Sequence, residues 1–235
     1  MSEIEIMVDG KTIKCNEGEN LLKVCLKNNI YIPNLCYLEK SDSPNASCRL
    51  CFVEIEGKPS PVTSCTEKVY DKMIVKTNTE EVRHLQKWGF ELILSIDQSF
   101  CRDCIANHVC HLQFIANFLK VPLRPQHLTI IERDSSIDYS THPHIFYDYK
   151  KCVLCGRCVN ICDKINKKDS IDFGKRGYNT IVTFFEKPEI SETYCKGCLK
   201  CVEVCPVGAL QGKNSEKMEK ILKKKRDNIE ALCQT

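Results

Sequence analysis

Residues 152–162 read CVLCGRCVNIC, and residues 195–206 read CKGCLKCVEVCP. Each is a C-x2-C-x2-C-x3-C run. Three thiolates at i, i+3 and i+6 can turn inward around one corner of an iron–sulfur cubane, while the fourth, four residues on, points toward another cluster; this is the two-cluster ferredoxin arrangement. On that pattern Cys152, Cys155 and Cys158 share one [4Fe-4S] cluster with Cys205, and Cys195, Cys198 and Cys201 share another with Cys162. Pro206 completes the C-P ending in the second run, whereas Asp163 stands there in the first. Gly156 and Gly197 sit beside ligands, where a side chain would obstruct backbone approach, and backbone N–H groups are what solvate cluster sulfur. Paired zinc knuckles share the C-x2-C spacing. Two interlocked runs with a terminal C-P argue for iron instead.

Working outward, the 235-residue chain carries 18 cysteines, and most of them fall into sets. Cys36, Cys48, Cys51 and Cys65 are separated by eleven, two and thirteen residues. A long loop, a tight C-x2-C and a distant fourth cysteine suit a [2Fe-2S] rhomb, although plant-type ferredoxins have a shorter first interval. Around this set, Ile4, Ile6 and Val8 alternate as a strand, Asp9-Gly10 is a hairpin turn, and Lys11 to Cys15 return. Leu21 to Lys27 reads as a short helix, and Phe52 to Ile55 and Met73 to Val75 as further strands. Two strands, a helix and more strands predict a β-grasp domain. Cys101, Cys104 and Cys110 form a set of three, too few for four cubane corners. Either another side chain binds, with Asp97, Asp103, His108 and His111 nearby, or that cluster has three irons. Asn78 with Glu81 resembles a capping box that opens a helix through Val82, Leu85, Leu92 and Ile93, ending near Ser95. Asp97 then lies just past the helix end.

Composition narrows the function classes. The formal charge is +3 with 34 Lys+Arg against 31 Asp+Glu, which gives no basic footprint for nucleic acid. No stretch approaches 18 consecutive apolar residues and the N-terminus lacks a signal-peptide pattern, so a cytoplasmic protein is expected. In a reducing compartment so many cysteines point to metal rather than disulfides. No G-x-G-x-x-G, P-loop, flavin or pterin motif occurs. Electron transfer is the job that four clusters in one short chain explain directly, with terminal chemistry left to partners.

Cys36-Tyr37, CRLCFVEIEG at 48–57, CTEKVYDKMIVKT at 65–77, CRDCIANHVCHLQ at 101–113, RGYNTIVTFFEKP at 176–188 and CKGCLKCVEVCPVGAL at 195–210 carry a family resemblance. Over about residues 1–212 the chain resembles the N-terminal cluster-binding region of the complex I large subunit and of [FeFe]-hydrogenases and formate dehydrogenases. It resembles more closely the diaphorase iron–sulfur small subunit of NAD-linked hydrogenases. The resemblance implies one [2Fe-2S] and three [4Fe-4S] clusters, a flavin-containing NAD(P)-reactive subunit, a thioredoxin-like [2Fe-2S] subunit, and a hydrogenase or other catalytic subunit as partners. Soluble ferredoxin enters as a further partner through the electron bifurcation that the family allows. The family places a histidine four residues before the first cysteine of the three-membered set; here that position is Asp97, which makes Asp97 the expected fourth ligand and His108 the reserve. A carboxylate in place of neutral imidazole predicts a lower potential. Ala46 stands where the family commonly has glycine.

The expected plan is α+β: a β-grasp [2Fe-2S] domain over 1–78, a small helical [4Fe-4S] domain over 79–120, a connection over 121–144, a two-cluster bacterial-ferredoxin-like domain over 145–212, and a basic amphipathic C-terminal helix over 213–235. Met218, Ile221, Leu222, Ile229 and Leu232 form a stripe on that helix interrupted by Lys225; it docks either on a partner or on its own domain. His142 and His144 are expected on a surface loop, and Trp88 and Phe90 in a core. Cys15 and Cys25 are expected to be buried free thiols, and Cys233 exposed. Competing functions are a formate-dehydrogenase or complex I-like subunit, a freely diffusing polyferredoxin, and a zinc scaffold. A free carrier wants an acidic surface, whereas fifteen thiolates with four oxidised clusters at roughly +2 each leave a net charge of only about −4.

Overall fold

A computed structural model describes residues 2–39, 44–97, 100–132, 142–166, 170–184 and 195–233. Part of the connection (133–141), residues 185–188 of the fifth motif and the Cys233 side chain lie outside the described residues. The chain is α+β. Strands β1 (Glu3–Val8) and β2 (Lys11–Asn16) form the expected hairpin, with Val8 opposite Lys11. Its turn takes Asp9 and Gly10 to φ of 49° and 82°, the doubly left-handed backbone that matches strand twist. Helix α1 (Leu21–Lys27) follows, then β3 (Phe52–Ile55), β4 (Val62–Thr63) and β5 (Ile74–Lys76). The sheet order is β2-β1-β5-β3-β4, with β1 and β5 parallel. Alternate residues Ile4, Ile6 and Val8 point into a core closed by Leu21, Leu22, Val24 and Cys25 of α1. Cys15 and Cys25 are both buried in it. The last strand begins one residue later than the apolar run implied: the Met73 side chain is buried in the core at the turn, and its carbonyl accepts from the Met7 N–H at 2.9 Å.

Helix α2 (Glu80–Leu94) is capped by Thr79, not Asn78: the Thr79 hydroxyl accepts from the Val82 N–H at 3.2 Å and donates to Glu54 at 2.6 Å. Its buried face is Val82, Gln86, Gly89, Phe90, Ile93 and Leu94. Trp88 is therefore not core; it is 39% exposed, between the His84 and His127 rings. Leu92 is also on the outer face. Position 88 lies two residues before Phe90, about 200° around a 3.6-residue helix, so both cannot face one core. Glu91 anchors the connection by accepting from the backbone N–H groups of Gln126, His127 and Leu128.

Helix α3 (His111–Leu119) packs with α2 into the same apolar cluster as the C-terminal half of the chain. That half comprises β6 (Ile145–Tyr147), α4 (Arg157–Asn166), β7 (Ile171–Gly174), β8 (Ile181–Phe184), α5 (Lys200–Val204) and β9 (Leu210–Gly212). β6 pairs with β9 and β7 with β8, all antiparallel. Residues 79–120 thus share one core with 145–212. His142 is not a surface residue: it is 2% exposed, and its Nδ1 accepts from the backbone N–H groups of His144 and Ile145, capping the turn into β6.

Helix α6 (Ser215–Cys233) lies on its own chain. Met218 is buried and its sulfur accepts from the Gly212 N–H at 3.4 Å. Ile221 and Leu222 pack on the core, and Leu232 reaches the rim of α1 beside Lys23 and Leu26. The interruption in the stripe has a cause: Lys225 turns inward and donates to the Cys205 carbonyl at 2.8 Å. Ala46 adopts φ of 48°, a region that costs a residue with a Cβ about 1–2 kcal/mol. Ala46→Gly is expected to raise stability by about 0.5–1 kcal/mol once glycine's extra unfolded-state entropy is subtracted, a gain readable as a higher thermal midpoint of the loaded chain.

Candidate metal centres

The cysteine sets offer four candidate seats. At the first, the Cys36 and Cys48 sulfurs are 3.4 Å apart, and Cys51 and Cys65 form a second hydrogen-bonded pair. The hydrogen bond shared by the two sulfurs pulls the Cys36 thiol down to about 5 and pushes its partner Cys48 up. Two close pairs are the donor set that two irons ask for. The pairs are held from several sides: Ser64 donates N–H and hydroxyl to the Cys51 carbonyl at 2.8 and 2.9 Å. Asn20, the N-cap of α1, donates to the Cys65 carbonyl at 2.6 Å. Gly89 on α2 admits the Cys48–Cys51 turn, since a Cβ there would meet the Arg49 carbonyl oxygen at 2.6 Å.

At the second seat, Cys101, Cys104, Cys110 and Asp97 line one cavity of about 490 Å³, closed from the other side by Val207 and Gly208. Asp97 is 9% exposed, just past α2 as the helix end implied. His108 is exposed, does not line this cavity and takes a left-handed φ of 66°. Asp103 lines the cavity but is exposed, and His111 turns away toward α1 and Arg157. Gln113 staples the loop, accepting from the His108 N–H at 2.8 Å and donating to Asn107 at 2.8 Å. Burial pushes the Cys110 thiol up to about 12, with Cys104 and Asp97 adding to the rise. As a free thiol it stays protonated at neutral pH, so metal uptake here releases a proton.

In the third and fourth candidate seats, cysteines of the two runs act on one another. Burial and the neighbours Cys155, Cys152 and Cys205 push the Cys158 thiol up. Burial and the neighbours Cys195, Cys162 and Cys198 do the same for Cys201, beyond the ordinary thiol range. Each run therefore meets the last cysteine of the other. The loops share one backbone device: Leu154 and Gly156 in the first, and Gly197 and Leu199 in the second, all have φ between 54° and 75°. Left-handed residues alternating along a loop turn successive N–H groups to one side, a nest for negative charge. That nest, with the thiol sets, fits iron–sulfur clusters. The two glycines give way to protein as well: a Cβ on Gly156 would meet Asn45 Nδ2 at 2.5 Å, and one on Gly197 the His144 ring at 3.0 Å. Among the described residues, no three His, Cys, Asp or Glu groups close on a single metal ion.

The seats adjoin. Asn45, from the Cys36–Cys48 loop, donates to the Cys155 carbonyl at 3.2 Å. The His111 N–H donates to the Pro206 carbonyl at 2.9 Å. A Cβ on Gly208 would meet Cys104 Sγ at 2.7 Å and Ala106 Cβ at 3.2 Å. Gly208→Val is therefore expected to empty the second seat, removing about four iron atoms and costing roughly 1–3 kcal/mol by overpacking; a full iron complement with an unchanged thermal midpoint would contradict that seat. Sequence reasoning passed over Gly89, Gly208, Asn20 and Asn45. A glycine inside a helix, as at 89, was the available signal.

These seats define an iron–sulfur protein with a [2Fe-2S] region ahead of a ferredoxin-like region. Residues 1–80 match the 2Fe-2S iron–sulfur cluster binding domain, and residues 142–211 match the ferredoxin-like domain of NADH-quinone oxidoreductase subunit 3. The chain is 33% identical over 217 residues to the NADP-reducing hydrogenase subunit HndD of Solidesulfovibrio fructosivorans, covering 89% of this chain and 36% of that protein. It is 31% identical over 210 residues to the alpha subunit of the NADPH-Fe(3+) oxidoreductase of Geobacter sulfurreducens, covering 89% of this chain and 24% of that protein. The chain thus spans about a third or less of the curated relatives it matches. It also superposes on a chain from the crystal structure of an NAD+-reducing [NiFe]-hydrogenase in the H2-reduced state, with a TM-score of 0.79 and 25% identity, covering 90% of this chain and 88% of that one. The resemblance to diaphorase iron–sulfur subunits drawn from the motifs is borne out.

Proposed function

We propose that the chain is an electron-transfer subunit that relays electrons through one [2Fe-2S] and three [4Fe-4S] clusters, between a flavin subunit that reacts with NAD(P) and the catalytic subunit of a hydrogenase complex. One observation carries this reading: the likeness to a chain of an NAD+-reducing hydrogenase runs nearly end to end on both sides. The ligand sets are Cys36, Cys48, Cys51 and Cys65; Asp97, Cys101, Cys104 and Cys110; Cys152, Cys155, Cys158 and Cys205; and Cys162, Cys195, Cys198 and Cys201. The clusters, when bound, supply the redox chemistry. The chain's part is to seat them close together, shield most of the cysteines, Cys101 and Cys198 being exposed, and tune each cluster by charge and by hydrogen bonds to sulfur. The Asn45–Cys155 and His111–Pro206 contacts support a layout in which the Cys205 seat stands between the first and second seats.

In this reading residues 1–78 are a β-grasp [2Fe-2S] domain, 79–120 a helical [4Fe-4S] unit, 145–212 a two-cluster ferredoxin-like domain and 213–235 a helix, with a thioredoxin-like [2Fe-2S] subunit and soluble ferredoxin as further partners in the cytoplasm. Among the described residues no helix is long and apolar enough to cross a membrane. The relatives also include a putative formate dehydrogenase of Staphylococcus aureus, 29% identical over 212 residues, which supports formate as the alternative source of electrons. Anaerobic purification of the tagged full chain from its native cells is the test. The expected result is co-purification of a flavoprotein, bleaching of the clusters by NAD(P)H only in that complex, and bleaching by H2 rather than formate. A chain that stays monomeric and exchanges electrons rapidly with many proteins would overturn the subunit reading in favour of a free carrier.

A further inference from the structure

Arg157 follows Cys155 and Gly156 and opens α4, in the turn onto which Asn45 of the Cys36–Cys48 loop is packed. It lines one cavity with Asn34 and Tyr37, which bracket Cys36, and with His111, and the cysteines of two seats act on its charge, Cys155 and Cys205 first and then Cys36 and Cys48. Its Nε is fully enclosed and has no hydrogen-bond partner. An arginine stays protonated in any protein setting, and a buried cation is kept only where opposite charge balances it. The groups pressed on Arg157 are thiols that become thiolates on binding iron, so its counter-charge is the loaded seats. A second cation arrives from outside the ferredoxin-like region: Lys225 of α6 donates to the Cys205 carbonyl at 2.8 Å and faces the sulfurs of Cys205 and Cys110.

We propose that Arg157, with Lys225 behind it, is a fixed-charge tuning site that holds up the reduction potentials of the two clusters it separates and levels the step between them. The physical reason is that reduction adds one negative charge, and a cation beside the site stabilises the reduced form. Moving one electron from the Cys36–Cys48 side to the Cys155–Cys205 side oxidises one cluster and reduces the other. The charge around Arg157 is conserved in that step, but Cys155 and Cys205 act on it more strongly than Cys36 and Cys48, so the guanidinium supports the electron more on the Cys205 side. Lys225 acts on the Cys205 side and, through Cys110, on the second seat, and not on the Cys36–Cys48 side. The C-terminal helix thereby becomes part of the electrical design as well as of the packing.

The inference rests on the ligand sets proposed above, and iron content reports on those separately. EPR-monitored redox titration of the full, iron-replete chain is the test. Arg157→Met is expected to lower both midpoints, more at the Cys205 cluster, shifting the electron distribution toward the [2Fe-2S] cluster by about tenfold, or 59 mV for a one-electron couple. Arg157→Lys should recover most of that shift. Lys225→Met, which leaves the Arg157 turn intact, should lower the Cys205 cluster, and the cluster of Cys110 with it, while the [2Fe-2S] midpoint stays in place. Unchanged midpoints in iron-replete Arg157→Met, or equal shifts in the Met and Lys variants, would overturn the proposal. If Arg157→Met does not hold iron, Lys225→Met decides, and an unmoved Cys205 midpoint there refutes it.

Discussion

Cys205→Ala is expected to strip or degrade the cluster held by Cys152, Cys155 and Cys158, and to leave the cluster of its own run untouched. The reason is the proposed crossing of the two runs: Cys155, Cys152 and Cys205 act on Cys158, with Cys201 behind them, and Cys195, Cys162 and Cys198 act on Cys201. Iron should fall by about one to four atoms from about fourteen per chain, according to whether a three-iron remnant survives. Cys162→Ala should do the mirror experiment. Paired EPR spectra of the two variants check it, because each must lose a different cluster signal. If each variant instead disturbs the cluster of its own run, the interlocked assignment is wrong.

The second large effect concerns Asp97. Its carboxylate lines the cavity with Cys101, Cys104 and Cys110, while His108 stays in solvent. Asp97→Ala should cost that cluster its fourth ligand and leave a three-iron signal or none, whereas His108→Ala should leave iron and spectra unchanged. Asp97→His should keep the cluster and raise its midpoint, because it replaces a charged ligand by a neutral one. At an effective dielectric of about 20, a unit charge removed from about 5 Å is worth roughly 3 kcal/mol, an upper bound since bound carboxylate shares its charge with iron. A titration in which Asp97→His matches the parent midpoint would remove Asp97 from the ligand set.

The ligand inventory was legible because cluster binding is written in local spacing. C-x2-C-x2-C-x3-C brings three sulfurs to one corner through a single turn of backbone, whatever the rest of the chain does. The β1–β2 hairpin and α1 were legible for the same reason: alternation and a short apolar run set which face is buried. Misplaced elements all depended on distant partners. Thr79 rather than Asn78 caps α2 because its hydroxyl also reaches Glu54. His142 is buried because it caps the entry to β6.

By itself, then, the sequence determined which side chains are offered to iron as a class, the α+β elements and the resemblance to iron–sulfur subunits of oxidoreductases, since periodicity and cysteine spacing are short-range properties of a chain. Only the tertiary structure decided that Asp97 and not His108 faces the second cavity, that Gly89 and Gly208 are apertures for neighbouring cluster loops, and that Lys225 and Arg157 meet near Cys205. Those are encounters between segments far apart in sequence. Their outcome is set by packing in the shared core, where a missing Cβ or one inward-turned cation changes which groups touch.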